Sequence, residues 1–304
     1  MRSAPDYIQF YPTLRCNQSC EFCFNQSMPT MPDMSSDDLS VMLEKIIALP
    51  VRSLDIIGGE PTLHPHIVGF VRKAVQDGLN VNVSSNGTNI AVLEDLLDAD
   101  NNVTIGISIN DRESMDRLAG FIQKNRVVVK SIFHPAMDEA VIRDILSLRP
   151  KTFYVIYRDA LDRNDLHACV PFHQFVSIAT ERFRPPQADT VFCSGFLPES
   201  VDYPELAQVR CPAGTTKLGI LPDGSVYPCN LFFGKKEFLL GNILTDPFES
   251  IWHHQALVFF RAAVHNICPE ITCDLHTRCH GGCPAHSFAH TGRLNTPDPR
   301  CVGG

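Results

Sequence analysis

The stretch CNQSCEFC places Cys16, Cys20 and Cys23 in a C-x3-C-x2-C pattern, and the next cysteine is Cys169. Three thiolates on one tight turn can hold three irons of a 4Fe–4S cluster. The fourth iron is then open to a small molecule, much as catalytic zinc keeps the open position that structural zinc lacks. A zinc site completed by a distant histidine is the alternative, because thiolates suit both metals. Other short segments point the same way. GGEP (58–61) and SSNGT (84–88) each follow an apolar run, and Asn110 follows Ser108 at the end of another. Glycines let a backbone approach a ligand closely. Glu60 can accept from an ammonium group, and Ser and Asn can grip hydroxyls. Together they describe a site for a zwitterionic, sugar-bearing ligand beside an open iron.

The chain has twelve cysteines, seven of them within residues 211–301, with Cys169 and Cys193 between the two groups. A disulfide scaffold would spread them more evenly, and disulfides are rare in a reducing cytosol, so metal binding is the favoured use. Cys169 is expected in a helix, as a core residue. His286 and His290 stand at i, i+4 and could pair on a metal, but helix-end or surface roles are the simpler expectation for them and for His253 and His254. His64 is expected only to shape the Glu60 loop.

The elements that must position these groups alternate in type. YIQFY (7–11), SLDII (53–57), LNVNVSS (79–85), VTIGISI (103–109), RVVVKSIF (126–133) and TFYVIY (152–157) read as strands. Helices are expected between them. The first is capped by Ser35 or Ser36, carries Asp37 and Asp38 in its first turn, and stops at Pro50. The others fall at 67–78, 90–98, 111–124 and 137–148, with a last one at 170–183. Such repetition implies parallel strands joined by right-handed crossovers. Six units fit an α/β fold, a partial (β/α)6 barrel over residues 1–183, with an open doubly wound sheet as the competitor. In 103–109, Val103, Ile105, Ile107 and Ile109 should meet the helices, leaving Thr104, Gly106 and Ser108 to face a bound molecule. Residues 184–210 read as a connector. Residues 211–304 read as a small Cys-rich domain with a hairpin around Pro222-Asp223-Gly224 and one amphipathic helix over ESIWHHQALVFFRAAV. Metal ligation could replace the apolar burial this domain lacks.

With these motifs in this order, residues 16–134 resemble a radical S-adenosylmethionine (radical SAM) enzyme. The resemblance implies that Cys16, Cys20 and Cys23 hold the 4Fe–4S cluster that binds S-adenosylmethionine. Phe22 matches the aromatic position whose backbone is expected near the adenine. Gly58, Gly59, Glu60 and Pro61 match the motif for the methionine amino group, and Ser84 and Asn86 fall in the segment beside the cofactor. Ser108 resembles a ribose or carboxylate contact, and Arg117 is a looser match to a carboxylate-binding arginine. C-terminally, Cys211, Gly224 and Cys229 form C-x12-G-x4-C, and Cys268, Cys273, Cys279 and Cys283 form C-x4-C-x5-C-x3-C before Cys301. This resembles the SPASM extension, which carries two auxiliary 4Fe–4S clusters, although the family usually has two residues in the first gap of the group of four. The resemblance implies Cys211, Cys229 and Cys283 for one cluster, and Cys268, Cys273, Cys279 and Cys301 for the other. Cys193 is an eighth ligand, a buried thiol, or absent from a cluster that keeps an open iron. Zinc remains an alternative for this set.

The implied activity is reductive cleavage of S-adenosylmethionine to a 5′-deoxyadenosyl radical that abstracts a substrate hydrogen. Peptide or protein modification (crosslink, thioether or oxidation) is the leading substrate class. Radical oxidation or decarboxylation of a small molecule, such as a tetrapyrrole side chain or sugar alcohol, is the alternative, and a non-catalytic iron–sulfur scaffold or electron carrier is a remote one. An external low-potential donor such as flavodoxin or ferredoxin is implied. Only 15 residues precede Cys16, so a leader peptide would need a separate leader-binding protein. Asn230 follows Cys229 where sulfatase-maturing relatives place a general-base Asp, and an amide cannot take a proton in that role. Net charge is −8 over 304 residues, with no long Lys/Arg run, which disfavours nucleic acid and anionic membranes. Without a signal peptide or spanning segment, a cytoplasmic location is expected.

Overall fold

The computed structural model describes residues 3–133, 139–182, 190–193, 211–262, 266–277 and 279–301. By contact, the chain divides into two compact units: residues 1–107 with 212–261, and residues 108–211 with 262–304.

The first unit is built on β1 (Tyr7–Phe10), β2 (Ser53–Ile56), β3 (Asn80–Ser85) and β4 (Val103–Ser108), paired parallel in sequence order. Between them lie α1 (Ser36–Ile47), α2 (Ile67–Gln76) and α3 (Ile90–Leu97). The order never reverses among these strands, as a singly wound barrel requires and a doubly wound sheet does not. Ser35 caps α1, its side chain accepting from the Asp38 amide at 3.1 Å, as the sequence predicts. Alternation sorts the strands cleanly. Ile8, Phe10, Leu54, Ile56, Val81, Val83, Val103 and Ile105 are all buried, and the intervening Asp55, Asn82, Ser84 and Thr104 are half-buried.

The extension enlarges this same sheet. β8 (Lys217–Ile220) pairs parallel with β1, and β9 (Ser225–Tyr227) pairs antiparallel with β8. The hairpin therefore forms where Pro222-Asp223-Gly224 predicts it. Gly224 has φ +82°, and a Cβ there would sit 2.5 Å from Asn242 Oδ1. β10 (Gly241–Asn242) continues the sheet beyond β9. The single helix expected over ESIWHHQALVFFRAAV is instead broken, as far as its described residues go. α7 (Phe248–Trp252) and α8 (Val258–Arg261) are separated by a 3-10 turn, Gln255–Leu257. His254 Nδ1 accepts from the Ala256 amide at 3.2 Å, replacing the carbonyl a continuous helix would offer. Arg261 then lies over the Trp252 ring at 4.1 Å and donates to the Trp252 and Gly214 carbonyls.

The second unit carries β5 (Val128–Phe133), β6 (Thr152–Tyr157) and β7 (Thr190–Cys193), again parallel and sequential. Its helices are α4 (Arg112–Asn125), α5 (Glu139–Ser147), α6 (Phe172–Arg182) and α9 (Pro284–Thr291). Residues 137 and 138 of the expected fifth helix lie outside the described residues. Within 184–210, read as a connector, TVFC forms β7 and pairs in register with β6 from Phe153 to Ile156. Cys169 is also corrected. It ends a 3-10 turn, Arg163–Ala168, rather than lying within a helix, and is half-buried. Asp162 captures the Asn164 amide at 2.8 Å and so starts that turn. No helix among the described residues is long and apolar enough to cross a membrane.

Candidate metal and cofactor centre

The turn carrying Cys16, Cys20 and Cys23 follows β1. The Cys23 amide donates to the Cys20 carbonyl at 3.0 Å, closing the turn. Cys16 is exposed and the other two are half-buried, and none is in a disulfide. Burial pushes the Cys23 thiol up, and the nearby Cys16 adds to the shift. Cys16 and Cys23 are therefore within electrostatic reach of each other.

Two further loops grip this turn. The Gly59 amide donates to the Thr13 carbonyl at 3.0 Å and the Glu60 amide to the Arg15 carbonyl at 2.8 Å. A Cβ on Gly58 would sit 2.5 Å from the Thr13 carbonyl oxygen, and one on Gly59 would sit 2.1 Å from that of Arg15. Both glycines are thus required by backbone approach to the cysteine-bearing segment itself. Asn25 Nδ2, just past Cys23, returns a bond to the Gly58 carbonyl at 2.8 Å. From the third loop, Asn86 Nδ2 donates to Asn17 Oδ1 at 2.8 Å and approaches Cys16 Sγ at 3.9 Å. Asn17 Nδ2 donates to Thr88 Oγ1 at 2.8 Å.

Glu60 is fully buried. Its Oε1 accepts from the Thr62 amide at 3.0 Å, Thr62 Oγ1 at 2.6 Å and Ser85 Oγ at 2.9 Å, and its Oε2 from the Asn86 amide at 2.7 Å. Its carboxylate is a brace between GGEP and SSNGT, held by neutral donors. Pro61 is buried and opens the 3-10 turn Pro61–Leu63. Phe22 and Ser84 are half-buried. Ser108 and Arg117 belong to the second unit. Ser108 ends β4 and is half-buried, and Arg117 is exposed on α4. Asn110 Oδ1 accepts from the Ile132 amide at 2.8 Å, so its amide is committed to its own fold. His64 is buried, with Nε2 on the Met34 carbonyl at 2.9 Å, and so it shapes the loop.

The C-terminal cysteines have different surroundings. Cys268, Cys273, Cys279 and Cys301 all lie in the second unit. Burial pushes the Cys301 thiol up to about 11, reinforced by Cys279, Asp298, Cys268 and Cys273. Cys268, Cys273 and Cys279 therefore all lie within electrostatic reach of Cys301. Asn266 Nδ2 donates to the His276 and Cys279 carbonyls, and its Oδ1 accepts from the Cys268 amide at 2.9 Å. Cys229 is buried in the first unit, while Cys211 and the buried Cys283 belong to the second. Cys193 ends β7, and its side chain lies outside the described residues.

Sequence reading missed the charges behind these thiols. Asp298 and Arg300 are buried and paired at 2.8 Å, and Asp298 Oδ2 also accepts from the Cys283 amide at 2.9 Å. Arg300 donates to the Arg158 carbonyl at 2.9 Å and lies over the Tyr157 ring at 4.8 Å. The only hint in sequence is DPRC, a charge pair abutting the last cysteine. His286 and His290 both hold Ala160. His286 Nε2 accepts from its amide at 3.0 Å, and His290 Nε2 meets its carbonyl at 2.7 Å. Asn230 Nδ2 donates to the buried Tyr11 hydroxyl at 3.3 Å, so the residue after Cys229 acts as a donor.

Among the described residues no three His, Cys, Asp or Glu side chains converge on a single metal ion. Cluster ligands each bind a different iron and need not converge on one point. Three thiols on one braced turn, the leading one exposed, and four on another segment, gathered around Cys301, fit iron–sulfur clusters.

Comparison with known proteins agrees. The radical SAM superfamily pattern matches residues 10–133, and the SPASM pattern, an iron–sulfur cluster-binding domain, matches residues 211–284. The mycofactocin maturase MftC of Mycolicibacterium smegmatis is 25% identical, covering 99% of this chain and 83% of the relative. The AdoMet-dependent heme synthase of Methanosarcina barkeri is 23% identical, covering 99% of this chain and 97% of the relative. Streptococcus suis SuiB bound to S-adenosylmethionine superposes with a TM-score of 0.77 at 16% identity, covering 99% of this chain and 78% of that one. The same protein bound to its precursor peptide SuiA gives 0.74 at 17% identity, with 99% and 76% covered. The chain belongs to the radical SAM superfamily: it is an enzyme of S-adenosylmethionine and 4Fe–4S clusters with a C-terminal SPASM domain.

Proposed function

We propose that the chain modifies a peptide or protein by radical chemistry. When bound, the cluster and S-adenosylmethionine supply reductive cleavage of the sulfonium and a radical able to abstract a substrate hydrogen. The chain's own residues would do the rest. Cys16, Cys20 and Cys23 hold the cluster, with the Asn86 amide beside the Cys16 sulfur. Gly58, Gly59, Glu60 and Pro61 form the loop for the methionine end, with Glu60 bracing it from within. Phe22, Ser84, Asn86, Ser108 and Arg117 complete the cofactor contacts. Cys268, Cys273, Cys279 and Cys301 hold one auxiliary cluster, and Cys211, Cys229 and Cys283 hold another, with Cys193 as its candidate fourth ligand.

The observation that carries this reading is the three-thiol turn, its leading cysteine exposed, braced by two neighbouring loops. The peptide substrate rests on the likeness to MftC and to the SuiB–SuiA complex. The likeness to the heme synthase favours a second reading, oxidation or decarboxylation of a tetrapyrrole side chain. An external low-potential donor, a cytoplasmic location and a separate leader-binding protein belong to the peptide reading. Its test is co-expression with short peptides encoded beside the gene, followed by mass spectrometry. A loss of hydrogen atoms from such a peptide, absent with Cys16→Ala, supports it. Turnover of tetrapyrroles with no change in any peptide overturns it.

A further inference from the structure

The sheet of the first unit carries a polar row that no cluster or cofactor assignment uses. Register aligns Gly219, Gln9, Asp55, Asn82 and Thr104 across β8, β1, β2, β3 and β4. Residues in register on parallel strands share one face. The adjoining registers, Leu218–Ile8–Leu54–Val81–Val103 and Ile220–Phe10–Ile56–Val83–Ile105, point the other way and are wholly buried and apolar. Barrel interiors are ordinarily filled by layers of Val, Ile and Leu. This layer instead offers a glycine, two carboxamides, a carboxylate and a hydroxyl.

Asp55, Asn82 and Thr104 are half-buried, so solvent reaches them. Gln9 is 8% exposed, and its Oε1 is buried without a donor. An unsatisfied buried acceptor is costly, and a donor on a ligand removes the cost. Asp55 stands between Gln9 and Asn82 with no ion-pair partner among the described residues. The row itself holds no cation. Lys217 shares the face but sits in the preceding register, beside Tyr7. A row whose one charge is a carboxylate attracts ammonium or guanidinium groups and repels carboxylates.

We infer that this row selects the substrate: Asp55 pairs with a cationic group of a peptide, and Gln9, Asn82 and Thr104 hydrogen-bond its backbone. This rests on the peptide reading above, and it adds a charge rule that a tetrapyrrole carboxylate would violate.

The test uses the reconstituted full chain with S-adenosylmethionine. The probes are two pools of short, acetylated and amidated peptides that differ only in a central Lys or Glu. Dissociation constants are measured for both pools. The wild type should prefer the Lys pool, and Asp55→Asn should weaken that pool by about tenfold while sparing the Glu pool. Asn82→Asp, which adds a second carboxylate to the row, should sharpen the preference and serves if Asp55→Asn fails to fold. A preference unchanged by both substitutions, or a preference for Glu, overturns the row and leaves the peptide reading standing. Failure of the wild type to bind either pool overturns both.

Discussion

The turn of Cys16, Cys20 and Cys23 and the segment from Cys268 to Cys301 hold their thiols in contrasting surroundings. The first is held by glycine backbone contacts, by Asn17, Asn25 and Asn86, by a buried Glu60 that accepts from neutral groups, and by one charge pair at the surface, Arg15 with Asp33. The second is backed by a buried ion pair, Asp298 with Arg300, bonded directly to the Cys283 amide. The first supplies three thiols on a turn whose leading cysteine is exposed, and the second supplies four thiols, three of them within electrostatic reach of Cys301, with the buried Cys283 beside them in sequence. An incomplete ligand set suits a cluster that must accept a cofactor, and a complete set suits one that need not. The support differs with the setting. The N-terminal turn follows a sheet with one wholly buried, apolar face. The C-terminal segment has little apolar mass, and a buried charge pair fixes its geometry where packing cannot.

Substitutions can break this contrast, beginning with the largest effect. Cys16→Ala should remove about four irons per chain and abolish cleavage of S-adenosylmethionine, read by iron analysis and product chromatography. Cys301→Ala should lose iron while the N-terminal turn keeps its own. Asp298→Ala leaves the buried Arg300 with the more distant Asp159, at 3.4 Å, and the Arg158 carbonyl, and should cost about 1–3 kcal/mol, seen as a lowered urea midpoint. Glu60→Gln puts an amide hydrogen against the donors of Thr62, Ser85 or Asn86 and should cost about 1–3 kcal/mol. It should also weaken S-adenosylmethionine binding, whereas Asp298→Ala should act on stability first. Asn17→Ala removes two exposed bonds and should cost about 1 kcal/mol at most. Equal responses to Glu60→Gln and Asp298→Ala in binding and stability would erase the contrast.

Much of this was legible in the residues. The C-x3-C-x2-C spacing, the GGEP and SSNGT segments and the strand–helix rhythm all belong to local sequence, and the structure keeps them in place. What escaped was long-range. Nothing near Glu60 in sequence shows that Ser85 and Asn86 would saturate its carboxylate, because the β2–β3 pairing brings them there. Alternation in one strand puts Thr104 on the inner face, but only the register across five strands lines it up with Asn82, Asp55 and Gln9. β7 was missed because four residues among prolines give no period to read. The break at His254 was missed because periodicity cannot see a side chain taking an amide from the helix.

The most direct measurement of the central claim is the yield of 5′-deoxyadenosine from anaerobically reconstituted protein with a low-potential reductant and S-adenosylmethionine. The account predicts clear formation by the wild type and none by Cys16→Ala, although that variant keeps its C-terminal iron. Equal yields from the two, or none from a wild type with its full iron content, would contradict it.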